Sequence, residues 1–384
     1  MKILWICGLP NEVRLKGWKS VLSPIQTPPW SWILGHLPPP ENVELHIVCP
    51  VFGLVDNRVD FDYQGAHWHC FRRESVKKLF LYLRHTLIVR RFIKDLRPDV
   101  VHGWGGEMGF GDLATRFSSK CVVSVQGLLR LLYNSEPKSF LREMGRVYGR
   151  YMLWREQRTY DRAARLLTES EFSHTALLEL YAHSSSVVPH PLRAPFLCAG
   201  ATANRQHIAQ FVFVGSLVSR KGAFDVVKAF ASGVGSRARL VIIGMGTERE
   251  HILRCIRDNN IGNCVELIES CTPEEIAAIM RRSHFFALPT YCDTGPTALK
   301  EALASGLFPI CYDNSGPHEY ITRYCGYLVP TGDVEAYSEA MVAALENLEE
   351  CMLKAEAAAE RIKADLDKCA IWSKLMTVYK EVVR

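Results

Sequence analysis

The feature that most constrains this chain is a succession of short, continuously apolar β-type runs separated by helical stretches. The runs lie near Lys2–Cys7, Glu44–Val48, Gly65–Cys70, Asp99–His102, Cys121–Val125 and Arg165–Thr168. They resume near Phe211–Val214, Arg239–Ile243, Cys264–Leu267, Phe285–Leu288, Phe308–Tyr312 and Gly326–Val329. Most do not alternate apolar with polar residues. Strands of that kind are buried on both faces, as in parallel sheets covered by helices. Regular alternation of strand and helix defines an α/β class.

The pattern restarts at Phe211-Val212-Phe213-Val214-Gly215, after a Pro- and Ala-rich passage from Val187 to Arg205. With 384 residues the chain exceeds a single core. The reading is therefore two Rossmann-like domains, 1–195 and 205–368. A final helical segment, 369–384, is placed to cross back to the first domain. Ligands of such folds bind outside the carboxyl ends of the strands, and here the cleft between the two domains is the expected place.

Charge is uneven. Met1–Pro195 holds 26 Lys+Arg against 18 Asp+Glu, whereas the whole chain carries only +5. A basic first half suits anionic partners. The basic, apolar-patterned segment Phe71–Lys94, with Glu74 as its one early acid, is a candidate for an anionic membrane surface; packing on the first sheet is its alternative. Thirteen cysteines without a CxxC pair fit buried reduced thiols and a cytoplasmic protein. No run approaches 18 apolar residues, so no membrane span is expected. Nor does a first-strand G-x-G-x-x-G occur, which argues against a dinucleotide-binding dehydrogenase.

Chemistry concentrates in two places. After the apolar run Phe285–Leu288 comes Pro289-Thr290-Tyr291-Cys292-Asp293-Thr294-Gly295-Pro296-Thr297-Ala298-Leu299-Lys300-Glu301-Ala302-Leu303-Ala304-Ser305-Gly306. Pro296 reads as the first residue of a helix whose N-terminus opens at the strand end. Such an end presents N–H groups and positive dipole to a diphosphate. Asp293 sits in the loop, and Glu301 lies two turns into the helix, where a carboxylate can accept two ribose hydroxyls. The second place is Phe211 to Gly222, in which a strand runs through Gly215 and Ser216 into Arg220-Lys221-Gly222. Lysine and arginine can both meet phosphate oxygens there.

An acid, seven residues, a Glu and then Ala-Leu-Ala-Ser-Gly resembles the signature of glycosyltransferase family 4, a retaining family with the GT-B fold. The resemblance is dense over Phe211–Asp333. It implies that Asp293, where Glu is usual, contacts the donor sugar and that Glu301 holds the ribose. Thr294, Gly295, Pro296 and Thr297 line the diphosphate. Lys221 takes the place of the family's phosphate-binding lysine, whereas the family's arginine is replaced by Ser216. Arg220 is the candidate substitute, and Gly215 completes the turn. In the first half Gln126 occupies the place of a sugar-contacting histidine, and Gly8, Lys16-Gly17 and His102 are further substrate-side candidates, a structural role being the stronger reading of His102.

The implied activity is transfer of a sugar from a nucleotide-diphosphate carrier to a glycan or lipid-linked acceptor, without metal or other cofactor and without nucleic acid. A non-catalytic nucleotide-sugar-binding subunit is the alternative. Asp60-Phe61-Asp62 has the spacing of metal-binding acids of another transferase fold but reads as a surface hairpin, and His67-Trp68-His69 lacks a third ligand for zinc.

Overall fold

The computed structural model describes residues 1–8, 39–52, 54, 56–73, 78–106, 109–135, 145–197 and 208–384. They form two units, Met1–Pro191 with Lys368–Arg384, and Leu192–Asp367.

Among the described residues the first unit has eight strands: β1 Lys2–Ile6, β2 Glu44–Phe52, β3 Arg58–Tyr63, β4 Ala66–Arg73, β5 Val100–Trp104, β6 Cys121–Val125, β7 Arg165–Thr168 and β8 Ser186–Val187. Their order is β3-β4-β2-β1-β5-β6-β7-β8. Every pairing is parallel except β3 with β4. β5 and β6 are buried at every position, and the one polar side chain of each, His102 and Ser124, is bonded to the other at 2.8 Å. The acids Asp60 and Asp62 lie on the edge strand β3. Asp60 is bonded by Arg58 and His69, and Asp62 by His67. Among the described residues no group of three His, Cys, Asp or Glu is arranged to hold a metal ion.

The helix Lys368–Val383 belongs to this unit. Trp372 stacks on Trp5 at 5.5 Å between ring centroids, and Trp5 Nε1 donates to Tyr379 Oη at 3.0 Å. Ile371, Leu375 and Val378 join the same core as Ile3, Ile47 and Trp68. In the basic segment, residues 74–77 and the side chains of 78–84 lie outside the described residues. Farther along, in the helix Lys78–Leu96, Val89 is buried and Ile88, Phe92 and Ile93 pack against the core, while Leu87 is exposed.

The second unit has six parallel strands: β9 Gln210–Val214, β10 Arg239–Ile243, β11 Val265–Ile268, β12 Phe285–Leu288, β13 Phe308–Tyr312 and β14 Tyr327–Val329, in the order β11-β10-β9-β12-β13-β14. The chain leaves β9 toward β10 and β11, then returns to β9's other side for β12. That reversal is a topological switch point, and ligands of open α/β sheets bind outside the carboxyl ends there. The unit begins at Leu192, upstream of the 205 expected from sequence, because Arg193 and Pro195 bond to later elements of this same unit.

Among the described residues no helix is long and apolar enough to cross a membrane.

Candidate active site at the second switch point

The loop after β9 is held by its neighbours through the backbone. Gly215 N donates to Ile243 O at 3.0 Å, and Leu217 N donates to Met245 O at 2.9 Å. Gly244 and Gly246 make this approach possible: a Cβ on either would lie 1.9 Å from Gly215 O or 2.2 Å from Leu217 O. Ser216 stands exposed at the turn. A short 3-10 turn, Ser219–Lys221, then delivers both cations, and Gly222 at φ +70° closes it. Only glycine fits there, since a Cβ would meet Pro289 O at 2.0 Å.

The loop after β12 meets that turn along its length. Tyr291 N donates to Arg220 O at 2.8 Å, and Arg220 Nη1 donates to Cys292 O at 2.5 Å. Lys221 Nζ is ion-paired with the Asp293 carboxylate. Both partners are partly buried, so the pair is screened far less than one on open surface. The two sequence segments therefore converge, with Lys221 and Asp293 as their point of contact. Sequence reasoning named both residues but not their pairing.

Past Asp293 the chain runs through half-buried Thr294 and buried Gly295 and Pro296 into the helix Thr297–Ala304. Pro296 is the cap of this helix, one position earlier than the sequence placed it: its extended ψ of 105° leaves it outside the first turn. No side chain caps this end. Leu299 N and Lys300 N donate to Pro296 O at 3.1 and 3.2 Å, which leaves the N–H groups of Thr297 and Ala298 without an acceptor in the helix and pointing out of its end. Gly316 donates to Asp293 O at 2.8 Å from the start of the helix Ser315–Arg323, and a Cβ there would press on Thr294 O at 2.7 Å. Two tyrosines brace the floor. Tyr291 and Tyr312 both donate to Asp225 Oδ2, at 2.8 and 2.9 Å. Burial and this carboxylate raise both phenols above the ordinary tyrosine range, Tyr291 to about 12.

Glu301 departs from expectation. Its carboxylate is 2% exposed, and both oxygens are bonded by Arg193, Nε to Oε1 at 2.6 Å and Nη2 to Oε2 at 2.8 Å. A buried carboxylate needs a partner to stay charged, and this bidentate fork supplies it. Arg193 is itself 8% exposed and lies over the Phe196 ring. The sequence offered no signal for Arg193 beyond a cation in a Pro-rich passage. Glu301 is thus not the open pair of acceptors that the helix spacing alone suggested.

The first-unit candidates divide. Gly8 lies two residues past β1, half-buried, and Lys16 and Gly17 lie outside the described residues. Gln126 follows β6, and its Nε2 donates to His190 Nε2 at 3.1 Å; His190 Nδ1 faces Glu169 at 3.3 Å. Accepting at Nε2 leaves the ring proton on Nδ1, directed at the carboxylate. His190 and Glu169 were not singled out from sequence. His102 is corrected. It is fully buried, with Nδ1 2.6 Å from Tyr379 Oη and Nε2 2.8 Å from Ser124 Oγ. Tyr379 Oη also accepts from Trp5 Nε1, so Trp5, Tyr379, His102 and Ser124 form one buried hydrogen-bonded chain. Burial pushes the imidazole down to about 3. His102 therefore fastens the C-terminal helix to the sheet.

With this geometry in place, the comparisons are direct. Residues 202–361 match the family glycosyl transferases group 1, and residues 40–193 match the glycosyl transferase 4-like domain. The chain belongs to glycosyltransferase family 4 and is a glycosyltransferase. Its fold is GT-B, two parallel-sheet α/β domains. Sucrose-phosphate synthase from Thermosynechococcus elongatus superposes with a TM-score of 0.80 at 16% identity, over 99% of this chain and 98% of that one. Anabaena Alr3699/HepE in complex with UDP and glucose gives 0.71 at 12%, over 99% and 100%. WaaG, a glycosyltransferase involved in lipopolysaccharide biosynthesis, gives 0.70 at 14%, over 98% and 99%. No curated protein matches the sequence.

Proposed function

We propose that this chain is a retaining glycosyltransferase that moves a sugar from a nucleotide-diphosphate donor to a glycan or lipid-linked acceptor in cell-surface polysaccharide synthesis. The second unit takes the donor and the first unit the acceptor. The observation that carries the reading is the meeting of Lys221 and Asp293 beside an uncapped helix N-terminus at the β9/β12 switch point. The UDP and glucose held by the Anabaena protein of like fold support a nucleotide-sugar donor.

Each residue then has a task. Lys221, steadied by Asp293, and Arg220 lie against the diphosphate together with the N–H groups that open Thr297–Ala304. Glu301 holds the ribose through the lone pairs that Arg193 leaves, since each carboxylate oxygen has two. The bond between the anomeric carbon and the diphosphate oxygen breaks with its electron pair on the diphosphate, and the acceptor hydroxyl oxygen bonds to that carbon on the same face while its proton passes to the departing diphosphate. Fixed positive groups stabilise the departing charge without reorganising at the moment of reaction. No metal or other cofactor is assigned a part. Gln126, positioned by His190, offers an amide to the sugar side. The enzyme works in the cytoplasm, peripherally on the inner membrane face.

The test is turnover by purified protein, with the donor chosen from a thermal-shift screen of UDP, GDP, ADP and TDP, because a bound ligand raises apparent stability by mass action. Lys221→Ala should lower turnover at least about tenfold, or about 1.4 kcal/mol of transition-state stabilisation. Nucleotide binding without turnover would make the chain a binding subunit, and wild-type kinetics in Lys221→Ala would remove the lysine's role.

A further inference from the structure

One helix of the first unit, Arg146–Arg162, carries an unusual outer face. Val147, Tyr151 and Trp154 are 85%, 37% and 51% exposed. With Arg158 they follow at spacings of four, three and four residues, which is one stripe of an α-helix. Arg146, Arg150, Arg158 and Arg162 are exposed around them. Of the two acids on the helix, Glu156 is buried among Leu129 N, Tyr160 and Tyr181, and Asp161 is engaged by Gln157 and His183. The opposite face, with Gly149, Met152, Thr159 and Tyr160, provides the packing. The helix thus has a buried side that holds it in the fold and an exposed aromatic, cationic side on which Arg158 lies over the Trp154 ring.

A groove of about 680 Å³ adjoins this face, lined by Arg116, Ser118, Ser119, Trp154, Arg158 and Arg162. Ser118 and Ser119 lead into β6 and Arg162 leads toward β7, so the groove lies at the amino ends of these strands. Gln126 lies at the other end of β6, and the groove is therefore a different place from the sugar-side residues.

We propose that the outer face of Arg146–Arg162 docks on a bilayer with anionic headgroups, the groove receiving a headgroup phosphate. The inference deepens the peripheral-membrane part of the proposed function by naming the surface, and it moves that surface away from the basic segment Phe71–Lys94. The chemistry fits on each count. Tryptophan and tyrosine join an apolar ring to a polar tip and collect at the headgroup level. Arginine presents a fork that matches phosphate oxygens and is weakly hydrated. Val147 gains from leaving water but offers nothing to a polar partner such as a nucleic acid backbone. A helix with its apolar stripe between cations matches an amphiphilic boundary.

The test is co-sedimentation of the full chain with vesicles of phosphatidylcholine alone or with phosphatidylglycerol, at low and high salt. We expect binding only to the anionic vesicles, weakening as salt rises. The Arg158→Glu, Arg162→Glu double variant should bind at least about tenfold less, since each surface cation contributes about fivefold. Trp154→Ala should also weaken binding, whereas Arg90→Glu with Arg91→Glu on the helix Lys78–Leu96 should leave it intact. Circular dichroism and the nucleotide thermal shift of each variant separate this inference from misfolding and from failure of the donor reading. Equal binding to neutral vesicles would overturn it. So would absence of binding to anionic ones at low salt, loss through Arg90 and Arg91 instead, or selective binding of an oligonucleotide by the same face.

Discussion

Arg193→Ala isolates the least expected contact of the candidate site. The substitution removes both forks of a bidentate pair whose carboxylate is 2% exposed. It leaves Glu301 in a site that water barely reaches, with its counter-ion gone. Removing one partner of a buried ion pair costs about 3–5 kcal/mol, because the remaining charge has lost its solvation without recompense. For a domain of this size each kcal/mol lowers Tm by about 2–4 °C, so the second unit should melt about 6–20 °C lower. Glu301→Ala should cost a comparable amount by stranding the guanidinium. The double variant should lose less than the sum of the two, the signature of coupled sites. All eight tryptophans, at positions 5, 18, 30, 32, 68, 104, 154 and 372, lie within the bounds of the first unit. Far-UV circular dichroism therefore follows both units while tryptophan fluorescence follows the first, and the Arg193→Ala shift should be larger in the dichroism. A loss below about 1 kcal/mol, or a double variant equal to the sum, would refute the pairing as the reason Glu301 is buried.

Three further outcomes follow from the geometry. His102 stays neutral in the folded state down to about pH 3, whereas the unfolded imidazole takes up a proton below about 6.5. Its contribution is present above that value and lost as pH falls, by about 2–3 kcal/mol at pH 4.5; urea unfolding followed by tryptophan fluorescence should show this slope in the wild type and its reduction in His102→Gln. Gly222→Ala combines a left-handed φ of +70° with a Cβ 2.0 Å from Pro289 O. It should lose at least about 2 kcal/mol in thermal unfolding and weaken the nucleotide thermal shift, because it pries apart the turn and loop that hold Lys221 and Asp293. Transfer should persist in excess EDTA, since Lys221, Arg220 and the helix terminus supply the positive charge; abolition with rescue by magnesium or manganese would assign a metal.

Much of this was legible locally. Phe211–Val214 and Phe285–Leu288 are strands because both their faces are covered, and full coverage leaves an uninterrupted apolar run. The glycines after them mark where the backbone must pass close to a neighbouring loop, so the strand-turn-helix order and the positions of Lys221, Asp293 and Glu301 could be read from one dimension. The edge strand β3 read as a hairpin, but β8, two residues long, has no periodicity to detect. What the tertiary structure decided are the partners. Lys221 meets Asp293 across 72 residues, Arg193 meets Glu301 across 108, and His102 meets Tyr379 across 277. Periodicity reports which face of an element is covered and is silent about what covers it. A charge in a polar-looking segment reads the same whether it faces water or a buried counter-ion. His102 read from sequence as either a structural residue or a strand-end ligand because its place in the run Asp99–His102 is local, whereas the tyrosine that seals it arrives only when the last helix returns to the sheet.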